Sequence, residues 1–147
     1  MIVKMVLVRL ASFALALSPA CFLQAEDRMK AGVWENTVTS DGFTVVKSHC
    51  VTAAEAETTN LPAKAMREST EKAIAKSGAG KCTLKEFTVE GNKISHLMVC
   101  GPTSYASTTT YRVDAFETTS TSTTAGTAKV TLMKGRRIGL CPVEVVN

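Results

Sequence analysis

Aromatic residues make up only 5% of this 147-residue chain, with a single tryptophan, two histidines and four prolines. So little aromatic surface argues against a platform for stacking sugars and against an aromatic-lined ligand cavity. Basic side chains are scattered and not interleaved with aromatics, so no nucleic-acid partner is expected. No acidic run or lysine cluster marks a membrane-surface segment. There is no C-x-x-C pair, and neither His49 nor His96 has a second histidine at ligand spacing, so no metal site is expected. The chain also lacks a G-x-S-x-G elbow, and SGAGKC does not have phosphate-loop spacing. No cofactor is implied.

What is present begins with MIVKMVLVRLASFALALSPACFLQAED. Lys4 and Arg9 precede a short apolar stretch from Leu10 to Phe22, which is broken by Pro19 and followed at once by Glu26 and Asp27. Crossing a bilayer takes roughly 20 apolar residues, so this reads as an export signal and not an anchor. Cleavage after Ala25 is expected, giving a signal at 1–25 and one domain at 26–147 with no transmembrane anchor. Cleavage after Ala20 is an alternative. A third reading takes LSPAC as a lipid-attachment box on Cys21, although Ser18 stands where a branched apolar residue is usual. Loss of Lys4 and Arg9 brings the formal charge from +4 to about +2.

Removing Cys21 leaves four of the five cysteines, Cys50, Cys82, Cys100 and Cys141. An even set in an exported chain reads as two disulfides. That leaves no thiol for a cysteine nucleophile, for which Cys100 with His96 or Cys50 with His49 would be the nominees. Adjacent strand residues also point to opposite faces, so His49 is badly placed to serve Cys50.

Two textures follow. VWENTVTSDGFTVVKSHCV has β-branched residues on either side of Asp41-Gly42, a tight-turn dipeptide, and predicts a hairpin. Trp34 and Val38 fall on one face, Glu35 and Thr37 on the other. TAAEAETTNLPAKAMRESTEKAIAKSG is rich in helix formers. Thr52 and Glu55 have capping-box spacing, and Asn60-Leu61-Pro62 interrupts. Pro62 suits the first position of a second helical run, which Gly78 ends. Met66, Thr70, Ala73 and Ile74 give that run a thin apolar seam.

Strand texture returns after Cys82, with a second hairpin signal at Gly91-Asn92. The threonine-rich SYASTTTYRVDAFETTSTSTTAGTAKVTLMKG alternates like strand, with turns expected at Asp114-Ala115 and Ala125-Gly126. This predicts three further strands and a short final one through GRRIGLCPVEVV. The fold class is therefore mainly β: an antiparallel meander forming a curved sheet or partial barrel, with one helical insertion between strands 2 and 3.

AGVWENTVTS after the signal, SHCVTAAE, GKCTLKEFTVEGNKISHLMVC, RVDAFETTSTS and the closing GRRIGLC, in that order, resemble a family of small exported bacterial proteins catalogued as a domain of unknown function, DUF3617. The resemblance spans nearly the whole of 26–147. It implies a periplasmic single domain and carries no catalytic residue.

The terminal GRRIGLC raises the sharpest question. Alternation sends Arg136 and Arg137 to opposite faces, one pointing inward or pairing with an acid such as Glu35, the other solvated. A structural ion pair fits this better than an anion site, which would want both forks converging. Arg136, Arg137 and Trp34 are nonetheless the candidate binding residues. A three-residue turn centred on Gly91 would set Cys82 opposite Cys100 and leave Cys50 for Cys141. A two-residue turn on Gly91-Asn92 moves that register by one, and Cys50 with Cys82 plus Cys100 with Cys141 is the rival pairing.

The expected function is that of a periplasmic, non-enzymatic domain that binds an envelope protein or polymer through its sheet. A carrier of a small apolar ligand and an enzyme of unidentified class are the alternatives. A closed apolar cavity would favour the carrier.

Overall fold

The computed structural model describes residues 27–77 and 81–142. The expected export signal, its cleavage site, Cys21 and Gly78 lie outside the described residues. The elements are β1 (Gly32–Ser40), β2 (Phe43–Val51), α1 (Ala53–Asn60), α2 (Ala63–Lys76), β3 (Cys82–Glu90), β4 (Lys93–Cys100), β5 (Thr103–Tyr111), β6 (Ala115–Thr124) and β7 (Thr127–Gly139). The seven strands form one unclosed, curved antiparallel sheet in the order β2-β1-β7-β6-β5-β4-β3. No helix among the described residues is long and apolar enough to cross a membrane.

Local chemistry explains the hairpins. Asp41 and Gly42 both take positive φ, 50° and 79°, and Ser40 pairs directly with Phe43 across them. That mirror-image turn twists with the strands, and Asp-Gly tolerates it. Ala125 and Gly126 repeat the geometry at the β6–β7 turn. The β5–β6 turn falls at Arg112–Asp114, slightly before the expected Asp114-Ala115, with the Arg112 amide donating to the Ala115 carbonyl at 2.7 Å.

Helix α1 carries the expected capping box: Thr52 Oγ1 accepts from the Glu55 amide, and the Glu55 carboxylate accepts from the Thr52 amide at 2.7 Å. Those bonds hold the Glu55 carboxyl below its ordinary pKa. Pro62 stands one position earlier than expected, as the cap of α2 and not its first residue. Of the predicted seam, Met66 is buried and Ala73 is exposed. Asn60 does more than interrupt the helices. Its side-chain oxygen accepts from the amides of Arg28 and Met29, at 2.7 and 3.0 Å, and its nitrogen donates to the Met29 carbonyl at 2.8 Å.

The expected antiparallel curved sheet is present, with β3 to β7 in meander order; the first hairpin joins it through β1, which has β2 on one side and β7 on the other. One expectation is corrected: the last two predicted strands are one. Thr127–Gly139 is continuous through Gly135, where sequence alone suggested a break. Gly135 is there for a different reason: a Cβ at this position would overlap the ring of Phe116.

That ring leads to the core. Trp34 is fully buried, 5.6 Å from Phe116 between ring centroids, and Phe116 in turn lies 5.9 Å from Tyr111. Met29, Val51 and Ala56 complete the cluster, and Trp34 Nε1 donates to the Lys30 carbonyl at 2.9 Å. The helices therefore cover the Trp34 face of the sheet near one end, with α2 against β3.

Gly135→Ala is expected to destabilise the protein by about 1–3 kcal/mol, since the Phe116 ring has to move off Trp34. Gly139→Ala, in open space on the same strand, should stay within about 0.5 kcal/mol of the parent. Urea-denaturation midpoints measure both.

Candidate functional site

The sequence candidates fall into structural roles first. Register places Trp34 opposite Arg137, Glu35 opposite Arg136 and Asn36 opposite Gly135, so the early Gly-x-Trp-Glu and the late Gly-Arg-Arg interlock on adjacent strands. Arg136 donates from Nε to Glu35 Oε1 at 2.8 Å, with its own side chain 70% exposed. An exposed pair of this kind contributes at most about 1 kcal/mol. Arg137 lies on the Trp34 face. Its Nε donates to the Ala31 carbonyl at 2.7 Å, Nη1 stands 3.5 Å from Asp114 Oδ1, and its amide donates to the Asp114 carbonyl at 2.9 Å. Gly32 leaves room for this, since a Cβ there would press on the Arg137 guanidinium and the Gly139 carbonyl.

The two guanidiniums thus diverge, as strand alternation requires. Arg136, and not the inward Arg137, is the one that meets Glu35. Trp34, with no exposed surface, is core and presents nothing to a ligand.

The cysteines come together as Cys50 with Cys141 and Cys82 with Cys100, at Cα separations of 5.5 and 4.0 Å. The route to the second pair differs from the three-residue turn considered for it. Glu90 pairs with Lys93, so the turn on Gly91-Asn92 has two residues, and a bulge between Leu84 and Glu86 then shifts the register so that Cys82 faces Cys100. Cys50 and Gly139 both pair with Val33, so the bridge to Cys141 reaches over the start of β1.

His49 is on the exposed strand β2, and His96 is half-buried on β4, where burial lowers its pKa. Among the described residues no group of three His, Cys, Asp or Glu side chains stands at metal-binding distance.

The sheet itself carries the more suggestive feature. Strands β5 and β6 place hydroxyls on both faces. On the Trp34 face these hydroxyls bond to one another across the strands: Thr103 with Thr124 at 2.7 Å, Ser107 with Ser120 at 2.9 Å and Thr109 with Thr118 at 2.9 Å. On the opposite face an open groove of about 360 Å³ is lined by Thr88, Ser95, Leu97, Thr108, Thr119 and Thr121, with Glu86 at its rim. Only Ser95 and Thr108 pair there, at 3.0 Å. Among the described residues, the hydroxyls of Thr88, Thr119 and Thr121 bond to no protein group and are free to meet a ligand.

From sequence alone the threonines are strand formers and nothing marks them as a site. The available signal was parity: Thr119 and Thr121 share one face of β6, while Ser120 and Thr118 share the other.

A family model described as "Protein of unknown function (DUF3617)" matches residues 29–141. No curated protein and no solved structure matches the chain.

Two measurements follow from this geometry. Arg137→Ala should cost roughly 1.5–3 kcal/mol of stability, because a charged donor to a carbonyl and its Asp114 partner are both lost, while Arg136→Ala stays within about 1 kcal/mol. Non-reducing peptide mapping should return Cys50–Cys141 and Cys82–Cys100. Their removal should cost about 4–5 and about 3 kcal/mol respectively, following loop lengths of 91 and 18 residues.

Proposed function

This chain belongs to the DUF3617 family of proteins of unknown function, and we propose that it is an exported, non-enzymatic binding domain whose hydroxyl-lined groove takes an extended, uncharged segment of an envelope component. The observation that carries the reading is the contrast between the two faces of β5 and β6. One face pairs six of its seven serine and threonine hydroxyls across the strands, Ser122 excepted. The other leaves Thr88, Thr119 and Thr121 open in a groove on a sheet face that no helix among the described residues covers, beside the apolar Leu97 and Ala106. Hydroxyls offer both donor and acceptor, and the apolar floor favours the flat side of a chain over a free ion.

Export is supported by the N-terminal signal pattern and by two cysteine pairs within bridging distance. A binding role, in preference to catalysis, is supported by a groove with Glu86 as its one carboxylate; His96 also lines it, but strand parity pairs His96 with Ser107 and sends its imidazole to the Trp34 face. The groove is open to solvent and not an enclosed cavity, which suits a polymer or polypeptide segment better than an enclosed small ligand.

A photo-crosslinking residue at Thr119 tests this in intact cells. It should capture one defined envelope component, whereas the same residue at Lys64 on α2 should capture none. Thr119→Lys with Thr121→Lys should abolish capture while the thermal midpoint moves by no more than a few degrees, since Thr119 is exposed and Thr121 is only partly buried. Equal labelling from both positions, or undiminished capture by the double lysine variant, would overturn the groove as the binding surface.

A further inference from the structure

The unclosed sheet has two edges, and the chain treats them very differently. Strand β3 is protected: it is bulged between Leu84 and Glu86, bears Lys85, Glu86 and Glu90, and has α2 packed against it. Bulges, charges and a covering helix are the ordinary means by which a protein prevents edge pairing. Strand β2 has almost none of them. It pairs with β1 through nine consecutive residues without a register shift, contains no proline, and carries one charge at Lys47. Every residue from Phe43 to Cys50 is exposed, including Phe43 at 78%, Val45 at 49% and Val46 at 56%. Among the described residues no strand covers its outer edge.

The hydrogen-bonding register of that edge follows from the turn. Ser40 and Phe43 close a two-residue hairpin, so Phe43, Val45, Lys47 and His49 direct their amide groups to β1. Thr44, Val46 and Ser48 therefore direct theirs outward. We infer that β2 pairs antiparallel with β2 of a second copy about a two-fold axis at Val46, joining two sheets into one.

Three features of the strand favour a second copy as the occupant. Centring on Val46 puts an outward-bonding residue at the axis, where each copy donates one N–H and accepts one. The same register sets Thr44 opposite Ser48, hydroxyl to hydroxyl, and Phe43 opposite His49. It also sets Lys47 opposite Val45, so the single charge of the strand does not face its own copy. A register centred on Lys47 would put two ammonium groups directly opposite one another, which is unfavourable. A two-fold contact uses the same patch twice and closes after two subunits, so the exposed edge is consumed without propagating into a fibre.

The axis stands perpendicular to the sheet and so preserves its faces. Both copies then present the hydroxyl-lined groove on the same side. If the groove reading holds, a polymer can be engaged twice, which raises the effective affinity without a new contact.

Sedimentation across a concentration series should show the full exported protein passing from monomer to dimer, and Val46→Lys should hold it monomeric with an unchanged circular dichroism spectrum. Val46→Cys, mildly oxidised, should give a covalent dimer, and Lys47→Cys should give several-fold less. A parent protein that stays monomeric throughout, a Val46→Lys variant that still dimerises, or preferential crosslinking through Lys47→Cys would each overturn the proposal. Envelope capture from Thr119 reads the groove separately: a monomeric Val46→Lys protein that still captures its component removes the dimer and leaves the groove standing.

Discussion

The contact of Trp34 with Phe116 across the bare backbone of Gly135 joins the two parts of the sheet. One part is the β1–β2 hairpin; the other is the run from β3 to β7. Among the described residues their strands meet where β7 lies beside β1, and α1 closes over that junction through Ala56. A side chain at 135 would lift the phenyl ring, separate it from the indole and weaken the aromatic cluster of the core. Gly32, Arg137 and the Ala31 carbonyl form the neighbouring part of this junction. The Gly-x-Trp-Glu and Gly-Arg-Arg segments are therefore two sides of one joint, and their chemistry is that of packing.

A chain with so few aromatics has to stabilise the rest of its sheet by other means. Threonine does this on β5 and β6, where β-branching favours the strand and the hydroxyls pair across it. Such a face needs no apolar cover. The sheet can then stay open beyond the helices, and its far side remains available as a surface. The low aromatic content that argues against an aromatic-lined cavity is consistent with a groove lined by hydroxyls.

Much of the fold was legible because local rules act locally. Asp41-Gly42, Ala125-Gly126 and the Thr52–Glu55 box each report a turn or cap within four residues. What could not be read were the long-range choices. Nothing near Gly135 says that a phenyl ring from β6 must pass over it, so a glycine looked like a stop. Nothing near Lys85 announces the bulge that brings Cys82 level with Cys100, and that pairing followed from a turn one residue too long. Arg136 and Arg137 were separable by alternation, but which of them faced inward depended on β1 as a neighbour. The groove was hidden by the evenness of the threonine run, in which bonded and free hydroxyls look alike until strands are paired.

The position of β7 also sets a timetable. Glu35 and Arg136 are neighbours in space but 101 positions apart in the chain. The first hairpin can form early, yet its inner strand has no second neighbour until β7 has been made. Contacts this remote slow folding, commonly to milliseconds or seconds, because the chain must first be brought into a large loop. During that wait the strand edges of the nascent domain are open to wrong partners. Until β7 is in place, β1 has a neighbour on one side alone and the core around Trp34 cannot close.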